Sequence, residues 1–290
     1  MRIDQLLAGY ADGDAISHMA LGLRAVFRAW GCDADIYADM RCVSPGLRAD
    51  CRPLEDYAGA DSDICLHHYG IDSPAAGVFQ AARAVKIFIY HNITPPEFFK
   101  GYDDDLVRQL TMARAALPAV ARAAAARWTV SRFNAAELAG LGLTDVRVLP
   151  LVFDPGALDI APDPFIVRQC AGGLTNILFV GRVAPNKRVE DLIEAFAWYH
   201  KALNPFSRLW IVGSNRSAPR YYTMLRMLAG DLDLPNVCFT GFAAPAELAA
   251  YYRAADLYVC PSAHEGYCLP LLEAMQAGAL VLARGSCMRV

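Results

Sequence analysis

The chain has 290 residues, with 27 Lys and Arg against 30 Asp and Glu and a formal net charge of −3 at pH 7. This length predicts two domains, because domains cluster near about 100–150 residues. The nearly balanced charge excludes the strong basic field that attracts nucleic acid or anionic membranes non-specifically, so we expect small-molecule partners and no nucleic acid.

The sequence contains nothing that resembles a membrane span or a secretory signal. No stretch reaches the roughly 18 uninterrupted apolar residues that a span needs. Acidic Asp4 interrupts the amino-terminal apolar run that a signal would require. The nine cysteines are odd in number and include no C-x-x-C pair, so we expect buried thiols. We therefore predict a cytoplasmic protein, and contact with the inner face of the membrane stays open.

Short β-branched runs alternate with helical patterns in the first half of the chain. Apolar spacing from Ile16 to Phe27 predicts a helix that ends at Gly31. The acidic run Asp103–Asp105 precedes another helical pattern, so we interpret it as a helix start and not as a metal cluster. Strands are predicted near Ile36, Cys65, Val85, Thr129 and Val146. This alternation indicates a mostly parallel sheet.

The alternation breaks at residues 153–165, where prolines stand among acidic and small residues, and we interpret this stretch as a linker. It resumes with the strand of NILFVGR and continues to the strand of ALVLAR. The sequence thus predicts an α/β fold of two Rossmann-like, doubly wound parallel-sheet domains, residues 1–160 and 165–290, that face a cleft. Ligands bind such sheets at the carboxyl ends of the strands, which makes the loops after strands the candidate sites.

The first candidate loop is GRVAPNKR, which leaves a predicted strand through Gly181, carries Arg182 and Lys187, and enters a helix near Val189. A phosphate at this turn would meet backbone N–H groups, the positive end of the helix and two cations. The alternative is that both cations are solvated surface charges. Neither a G-x-x-x-x-G-K-[ST] nor a G-x-G-x-x-G motif follows a strand, which argues against a P-loop hydrolase and weakens a dehydrogenase hypothesis.

The second candidate loop is HEGYCLPLLEAM, which places Glu265 and Glu273 eight positions apart. Gly266 permits close backbone approach, and Pro270 suits a first helical position, which would put Glu273 in the first turn of a helix. Two carboxylates that flank the N–H groups of residues 266–269 suit a sugar and the negative charge of a departing phosphate. Taken alone, Glu273 is equally explained by the dipole at a helix N-terminus.

Together these elements resemble the retaining family-4 glycosyltransferases of the GT-B fold, also called glycosyl transferases group 1. The resemblance rests on E-x7-E in EGYCLPLLEAM, on GR....K after a strand and on LPLVFD before the linker, in the family's order. It implies transfer of a hexose, with mannose as a candidate, from a GDP- or UDP-sugar to a glycan or lipid-linked acceptor in cell-surface polysaccharide biosynthesis. It also implies retained anomeric configuration, front-face substitution, no cofactor and no metal.

The resemblance assigns roles to the matching residues. At the donor site, Gly181, Arg182 and Lys187 would hold the diphosphate, and Glu273 would bind the ribose hydroxyls. The sugar would be held by Glu265 and the following segment Gly266, Tyr267, Cys268 and Leu269. Gly13 would approach the diphosphate, although a simple helix start explains it equally well. Gly213 and Phe242 would lie near the base.

The resemblance further assigns contact with the transferred hexose to His91, which ends a strongly apolar predicted strand. A histidine at a strand end is otherwise more often structural. We expect the catalytic residues to be His91, Glu265, Arg182 and Lys187. The sequence offers no partner for His67 or His68.

The sequence departs from the family pattern in two places. Cys268 stands where the family usually has Gly, and we expect its side chain to narrow the site beside the donor phosphates. The family also continues beyond ALVLARGSCMRV, so we expect an incomplete second domain with an unprotected edge strand near residues 280–283. Alternatives to an active transferase are therefore an inactive remnant or a partner-dependent nucleotide-sugar-binding module, and a GT-B sugar epimerase.

Overall fold

The computed structural model describes residues 1–285, which form two compact units. Among the described residues, the first unit contains 1–96 and 105–152, and the second contains 97–104 and 153–285. The second unit thus begins before residue 165 and includes a segment of the first half. Aromatic contacts attach that segment, because the Tyr102 ring meets the Tyr221 ring edge-on with centroids 5.3 Å apart.

The first unit is built on a parallel sheet of seven strands in the order β3-β2-β1-β4-β5-β6-β7. The strands are β1 Ile3–Leu7, β2 Ile36–Ala38, β3 Arg52–Pro53, β4 Ile64–Tyr69, β5 Val85–Tyr90, β6 Ala126–Thr129 and β7 Arg147–Val148. The helices are α1 Ala15–Ala29, α2 Pro74–Ala81, α3 Asp104–Arg122 and α4 Arg132–Gly140. All five predicted strands are present, and the acidic run at 103–105 does begin a helix.

The interior strand β1 is one that the β-branched pattern does not predict, because Asp4 and Gln5 are polar. Both side chains are nevertheless buried and bonded. Arg2 Nε lies 2.7 Å from Asp4 Oδ2, and Gln5 Nε2 donates to the carbonyl of Ala20 at 2.9 Å. Burial raises the pKa of Asp4, and the bond from Arg2 partly offsets that rise. Paired polar groups therefore occupy a position that apolar side chains usually fill.

The second unit is built on a parallel sheet of five strands in the order β10-β9-β8-β11-β12. The strands are β8 Thr175–Val180, β9 Ser207–Val212, β10 Val237–Gly241, β11 Leu257–Cys260 and β12 Leu280–Ala283. The helices are α5 Pro164–Cys170, α6 Val189–Ala202, α7 Pro219–Asp231, α8 Pro245–Ala254 and α9 Leu269–Gln276. Within residues 1–285, β12 is one of the two outer strands of this sheet, and its Leu280 and Leu282 are exposed.

Helix α5 lies at the end of the predicted linker, so that prediction is wrong for residues 164 and 165. The same residue types explain both the prediction and the helix. Asp163 Oδ1 accepts from the N–H groups of Phe165 and Ile166 at 2.8 and 3.0 Å, and Pro164 takes the first helical position. Residues 153–163 form neither helix nor strand.

Alternate side chains of β8 and β9 enter two different cores. Phe179 and Ile211 pack on the face covered by α6 and α7, whereas Leu178 and Trp210 pack on the face covered by α5, α8 and α9. A sheet covered on both faces by helices is a doubly wound arrangement. This confirms the predicted α/β fold with two parallel-sheet domains.

The structure also bears on the predictions about membrane spans and cysteines. Within residues 1–285, no helix is both long enough and apolar enough to cross a membrane. The cysteines described there are free, and they are only partly the buried thiols that we expected. Cys65, Cys170, Cys260 and Cys268 are buried, whereas Cys42 is exposed.

Candidate active site

The ends of β8 and β9 approach each other closely at two glycines. The Gly181 N–H donates to the carbonyl of Val212 at 2.9 Å, and Gly213 adopts a φ of +146°. A Cβ atom on Gly213 would lie 1.9 Å from the Gly181 carbonyl oxygen. Gly213 therefore has a packing role that the sequence did not indicate, and its place near a base stays a prediction.

The two cations of the first loop differ in their surroundings. Arg182 is exposed and forms no ion pair with any residue in the described part of the chain. Lys187 Nζ lies 2.5 Å from Glu265 Oε1, and the two side chains are only 16% and 10% exposed. Burial alone would lower the pKa of Lys187, but Glu265 outweighs burial and the pKa is raised. Lys187 is thus not a solvated surface cation.

Internal hydrogen bonds occupy part of the N-terminus of α6, where the sequence predicted a phosphate. The Val189 N–H donates to the hydroxyl of Tyr221 at 2.9 Å, and the Lys187 N–H donates to a carbonyl of its own loop. The first turn carries Glu190, which pairs with Arg188 at 2.8 Å. Two donors of this turn are thus already used and the first turn is acidic, and the phosphate contact of this loop stays a prediction.

The N-terminus of α9 carries backbone N–H groups that are not used in internal hydrogen bonds of the described chain. Gly266, Tyr267, Cys268 and Leu269 contribute four backbone N–H groups that bond to no residue within 1–285. Cys268 is the N-cap, and its side chain does not cap the helix. Unpaired N–H groups at the positive end of a helix dipole attract anions.

A buried asparagine joins the two loops. Asn186 Nδ2 donates to the carbonyl of His264 at 3.2 Å, and the Ala263 N–H donates to the carbonyl of Asn186 at 2.9 Å. These bonds place Lys187 against Glu265, although the two residues are 78 positions apart in the chain. Sequence reasoning missed Asn186, because its tertiary pairing leaves no trace in local spacing.

The carboxylate of Glu273 is oriented by a buried tyrosine. Tyr252 of α8 donates its hydroxyl to Glu273 Oε2 at 2.6 Å. Burial first, and then Glu273, raises the pKa of Tyr252 well above its usual value, which keeps the hydroxyl a donor. Glu273 lies in the second turn, because α9 begins at Leu269 and has no acidic residue in its first turn. The helix dipole is therefore a weaker explanation than the sequence suggested.

The side chain of Cys268 does not narrow the site as we expected. It is buried in the core on the α8 and α9 face, with its Sγ 3.7 Å from Cys260 Sγ. The hydrogen bond with Cys260, together with burial, raises the pKa of Cys268. Both sulfurs and a Glu265 oxygen lie within 4.8 Å of one another, yet the Lys187 ammonium already pairs with that carboxylate. Cys268 can thus serve the site only through its backbone.

Phe242 follows β10 and has a largely exposed ring, with 64% of its surface accessible. It stands at the same carboxyl edge of the sheet as Gly181 and Gly213. Gly241, the residue before it, accepts a hydrogen bond from the Gly213 N–H at 2.8 Å. The ring is therefore available for stacking, and contact with a base stays a prediction.

In the first unit, Gly13 adopts a φ of +72° directly before α1. Asp14 caps that helix, because its Oδ2 accepts from the N–H and the hydroxyl of Ser17 at 2.9 and 2.8 Å. The left-handed conformation explains why glycine suits position 13. Approach to a diphosphate stays a prediction.

His91 lies at the end of β5, as the sequence indicated, and has a partner there that sequence reasoning missed. Its Nε2 is 2.8 Å from Nδ1 of His68, the fifth residue of the neighbouring β4. Burial lowers the pKa of His91 to about 3. The ring is therefore neutral near pH 7. The sequence did contain a signal for this contact, because His67 and His68 stand together on the predicted strand that precedes the strand of His91.

The chain is similar to known glycosyltransferases in fold and in its second unit. Its structure matches that of sucrose-phosphate synthase from Thermosynechococcus elongatus with a TM-score of 0.73 and 18% identity, over 98% of this chain and 81% of that one. It matches the Anabaena protein HepE in complex with UDP-glucose with a TM-score of 0.73 and 19% identity, over 99% and 82%. These likenesses establish the GT-B fold.

The second half of the chain is also similar in sequence to one known family. Residues 171–289 match the model of the family described as glycosyl transferases group 1. The serotype-specific mannosyltransferase WbdA of Escherichia coli is 35% identical over 108 residues, which are 37% of this chain and 13% of that protein. A GDP-mannose-dependent alpha-mannosyltransferase of Mycolicibacterium smegmatis is 36% identical over 105 residues, 36% of this chain and 24% of that protein. This part of the chain is therefore similar in sequence to the glycosyl transferases group 1, which agrees with the resemblance to that family.

Proposed function

We propose that the chain is a retaining glycosyltransferase that moves a hexose from a GDP- or UDP-sugar to a glycan or lipid-linked acceptor of cell-surface polysaccharide biosynthesis. One observation carries the proposal. Four unpaired N–H groups of residues 266–269 stand beside the Lys187–Glu265 pair in a domain that is similar in sequence to this family. Arg182, on the same loop as Lys187, is an exposed cation without an ion-pair partner in the described chain.

This arrangement suits a diphosphate next to a sugar. Unpaired N–H groups, the dipole of α9 and Arg182 all favour negative charge, and none needs to break an internal bond first. Glu265 offers an acceptor for sugar hydroxyls, while Lys187 keeps that carboxylate from repelling the phosphates. For Glu273 we retain the ribose hydroxyls, with Tyr252 orienting the carboxylate.

The reaction we propose is a front-face substitution. The acceptor oxygen forms its bond to the anomeric carbon as the bond from that carbon to the diphosphate oxygen breaks. The hydroxyl proton passes to a phosphate oxygen, so no protein nucleophile is needed. Negative charge that grows on the departing diphosphate meets donors already fixed in place, which is the usual origin of large rate enhancements.

Mannose is our first candidate for the hexose. Two of the relatives are mannosyltransferases, and one of them is GDP-mannose-dependent. The UDP-glucose complex of the structural neighbour HepE makes UDP-sugars the second class.

The test is calorimetry and thermal shift of the whole chain with GDP-mannose, UDP-glucose and UDP-N-acetylglucosamine, without metal. A ligand at about 100 times its dissociation constant adds about 2.7 kcal/mol of stability. We expect one nucleotide class to stabilise the chain saturably. Arg182→Ala should weaken binding of that nucleotide sugar by about tenfold, which is the contribution of one charge-assisted hydrogen bond. Arg168→Ala, another exposed arginine of the second unit, is the matched control and should bind normally.

Product analysis then separates the three functions. Transfer of labelled hexose to an acceptor supports the proposal. Binding without turnover favours a binding module or an inactive remnant, and a changed sugar still attached to its nucleotide would indicate an epimerase. A folded chain that binds no nucleotide sugar would contradict the proposal.

A further inference from the structure

Three side chains of the first unit form a hydrogen-bonded row across neighbouring strands. Gln5 of β1 places Oε1 2.9 Å from Nε2 of His68 on β4. Nδ1 of His68 lies 2.8 Å from Nε2 of His91, which follows β5. Gln5 and His68 are fully buried, so neither exchanges its partner for water. We call these residues the Gln5 row.

The orientation of Gln5 fixes the direction of every bond in the row. Gln5 Nε2 donates to the carbonyl of Ala20, so Oε1 is the atom that faces His68. An amide oxygen only accepts, and therefore His68 carries its proton on Nε2. A neutral imidazole has one N–H, so His68 Nδ1 is an acceptor and His91 must donate from Nε2. The lone pair of His91 is then on Nδ1.

Two further features support this sequence of donors. The rings of His68 and His91 have centroids 5.1 Å apart and planes 24° apart. That separation equals the nitrogen–nitrogen distance plus one ring radius on each side, so the rings meet edge to edge as a hydrogen bond requires. Burial lowers the pKa of His68 well below its usual value and that of His91 to about 3, which keeps both rings neutral.

The loop that carries His91 is held in place on both sides of the ring. Asn92 adopts a φ of +84° and donates from Nδ2 to Asn134 Oδ1 at 2.8 Å. Arg114 donates to the carbonyl of Ile93 at 2.6 Å. A Cβ on Gly70 would lie 3.6 Å from His91 Cβ. The backbone that follows His91 is therefore fixed, and the bond to His68 orients the ring.

The second nitrogen of His91 faces outward. Nδ1 forms no hydrogen bond with any residue in 1–285, and it is not among the fully buried polar atoms that lack a partner. It therefore reaches the surface of the first unit as an acceptor. A phosphate oxygen has no proton to donate to such a lone pair, whereas a sugar hydroxyl does.

We propose that Gln5 and His68 are positioning residues that hold His91 in its Nε2–H tautomer, so that Nδ1 accepts a hydrogen bond from a hydroxyl of the sugar substrate. The tautomer follows from the first unit alone. The hydroxyl contact rests on the proposed function. His91 thus selects a hydroxyl and not the diphosphate.

Nuclear magnetic resonance tests the tautomer without any ligand. In the full chain labelled with ¹⁵N-histidine, two-bond ¹H–¹⁵N correlations report which ring nitrogen of each histidine is protonated. We expect Nε2–H for both His68 and His91. His67 provides an opposite internal reference, because its Nδ1 must donate to the carbonyl of Leu6, 3.1 Å away. Protonation of His91 on Nδ1 would overturn the proposal.

Two variants test the cause. Gln5→Met keeps length and shape but removes the acceptor, so His91 should lose its single tautomer and populate both. Gln80→Met, at an exposed position in α2, should change nothing. A folded Gln5→Met chain that keeps the single His91 tautomer would overturn the role of Gln5. If that variant does not fold, His68→Phe removes the acceptor of His91 and carries the same expectation.

Kinetics test the hydroxyl contact. Gln5→Met should lower kcat/KM for the preferred donor by about tenfold, the value of one hydrogen bond, while binding of the free nucleotide stays unchanged. If the Gln5→Met chain has a mixed His91 tautomer but an unchanged kcat/KM, the hydroxyl contact is refuted. The claim that Gln5 and His68 set the tautomer of His91 would not be affected. A wild-type chain that transfers no sugar would instead refute the proposed function, which the resonance experiment does not depend on.

Discussion

The ion pair between Lys187 and Glu265 makes a quantitative prediction about stability. Lys187→Met keeps most of the apolar stem but leaves a carboxylate that is 10% exposed without its cation. Removing one partner of a buried pair costs about 3–5 kcal/mol, because the remaining charge is uncompensated. We expect about 3 kcal/mol, at the low end, since both groups keep some contact with water.

Urea unfolding at pH 7 measures this cost, and a double-mutant cycle attributes it. The double variant Lys187→Met with Glu265→Gln removes both charges and should recover most of the lost stability. Loss of less than about 1 kcal/mol in Lys187→Met, or no recovery in the double variant, would refute the reasoning that the pair is buried and coupled.

The pH dependence of the pair has a definite sign. The pKa of Lys187 in the folded chain is above its usual value of 10.5. The pair therefore contributes its full stability below that pH and loses it as pH rises through the higher folded-state pKa. Wild-type stability attributable to the pair should be constant from neutral pH to about pH 9, and urea midpoints of the wild type and Lys187→Met should converge only in strong alkali.

Three further predictions concern single side chains of the second unit. Gly213→Ala should destabilise the chain by about 3 kcal/mol or more through backbone strain and overlap, whereas Gly77→Ala on the exposed face of α2 should raise the denaturation midpoint slightly. Tyr252→Phe should cost about 1–2 kcal/mol in the same assay, because a carboxylate loses its donor; no change would show that the bond is not formed in solution. Cys268 should react with iodoacetamide at pH 8 far more slowly than exposed Cys42, by mass spectrometry of the native chain, because its raised pKa keeps the thiol protonated; equal rates would contradict its burial.

Local pattern was enough to predict most elements of the fold. The β-branched runs and helical spacing located most strands and helices, because the period of the apolar residues depends on which face of the strand or helix is buried. Strand β1 was not predicted, because Asp4 and Gln5 are polar and their burial depends on bonds to residues such as Arg2 and Ala20. The first two residues of α5 fall in the predicted linker, because capping residues and loop residues are the same types.

The candidate site was predictable only where chemistry is local. The E-x7-E segment and the basic loop were found from spacing after strands. Asn186, Tyr252 and His68 were not, because each acts through a residue at least 21 positions away. The choice between the N-termini of α6 and α9 also depended on a distant group, the hydroxyl of Tyr221 that takes the Val189 N–H.

The bonds of Asn186 couple the two loops of the site, so that a substitution in one loop affects the other. A change in the loop around His264 that moves its carbonyl also moves the residue beside Lys187, because Asn186 bonds to both Ala263 and His264 of that loop. Effects of substitutions in residues that share such bonds do not add. Altered donor preference in this scaffold should therefore arise from paired changes in both loops, and transplanting either loop alone from a relative should give a weaker site than either parent.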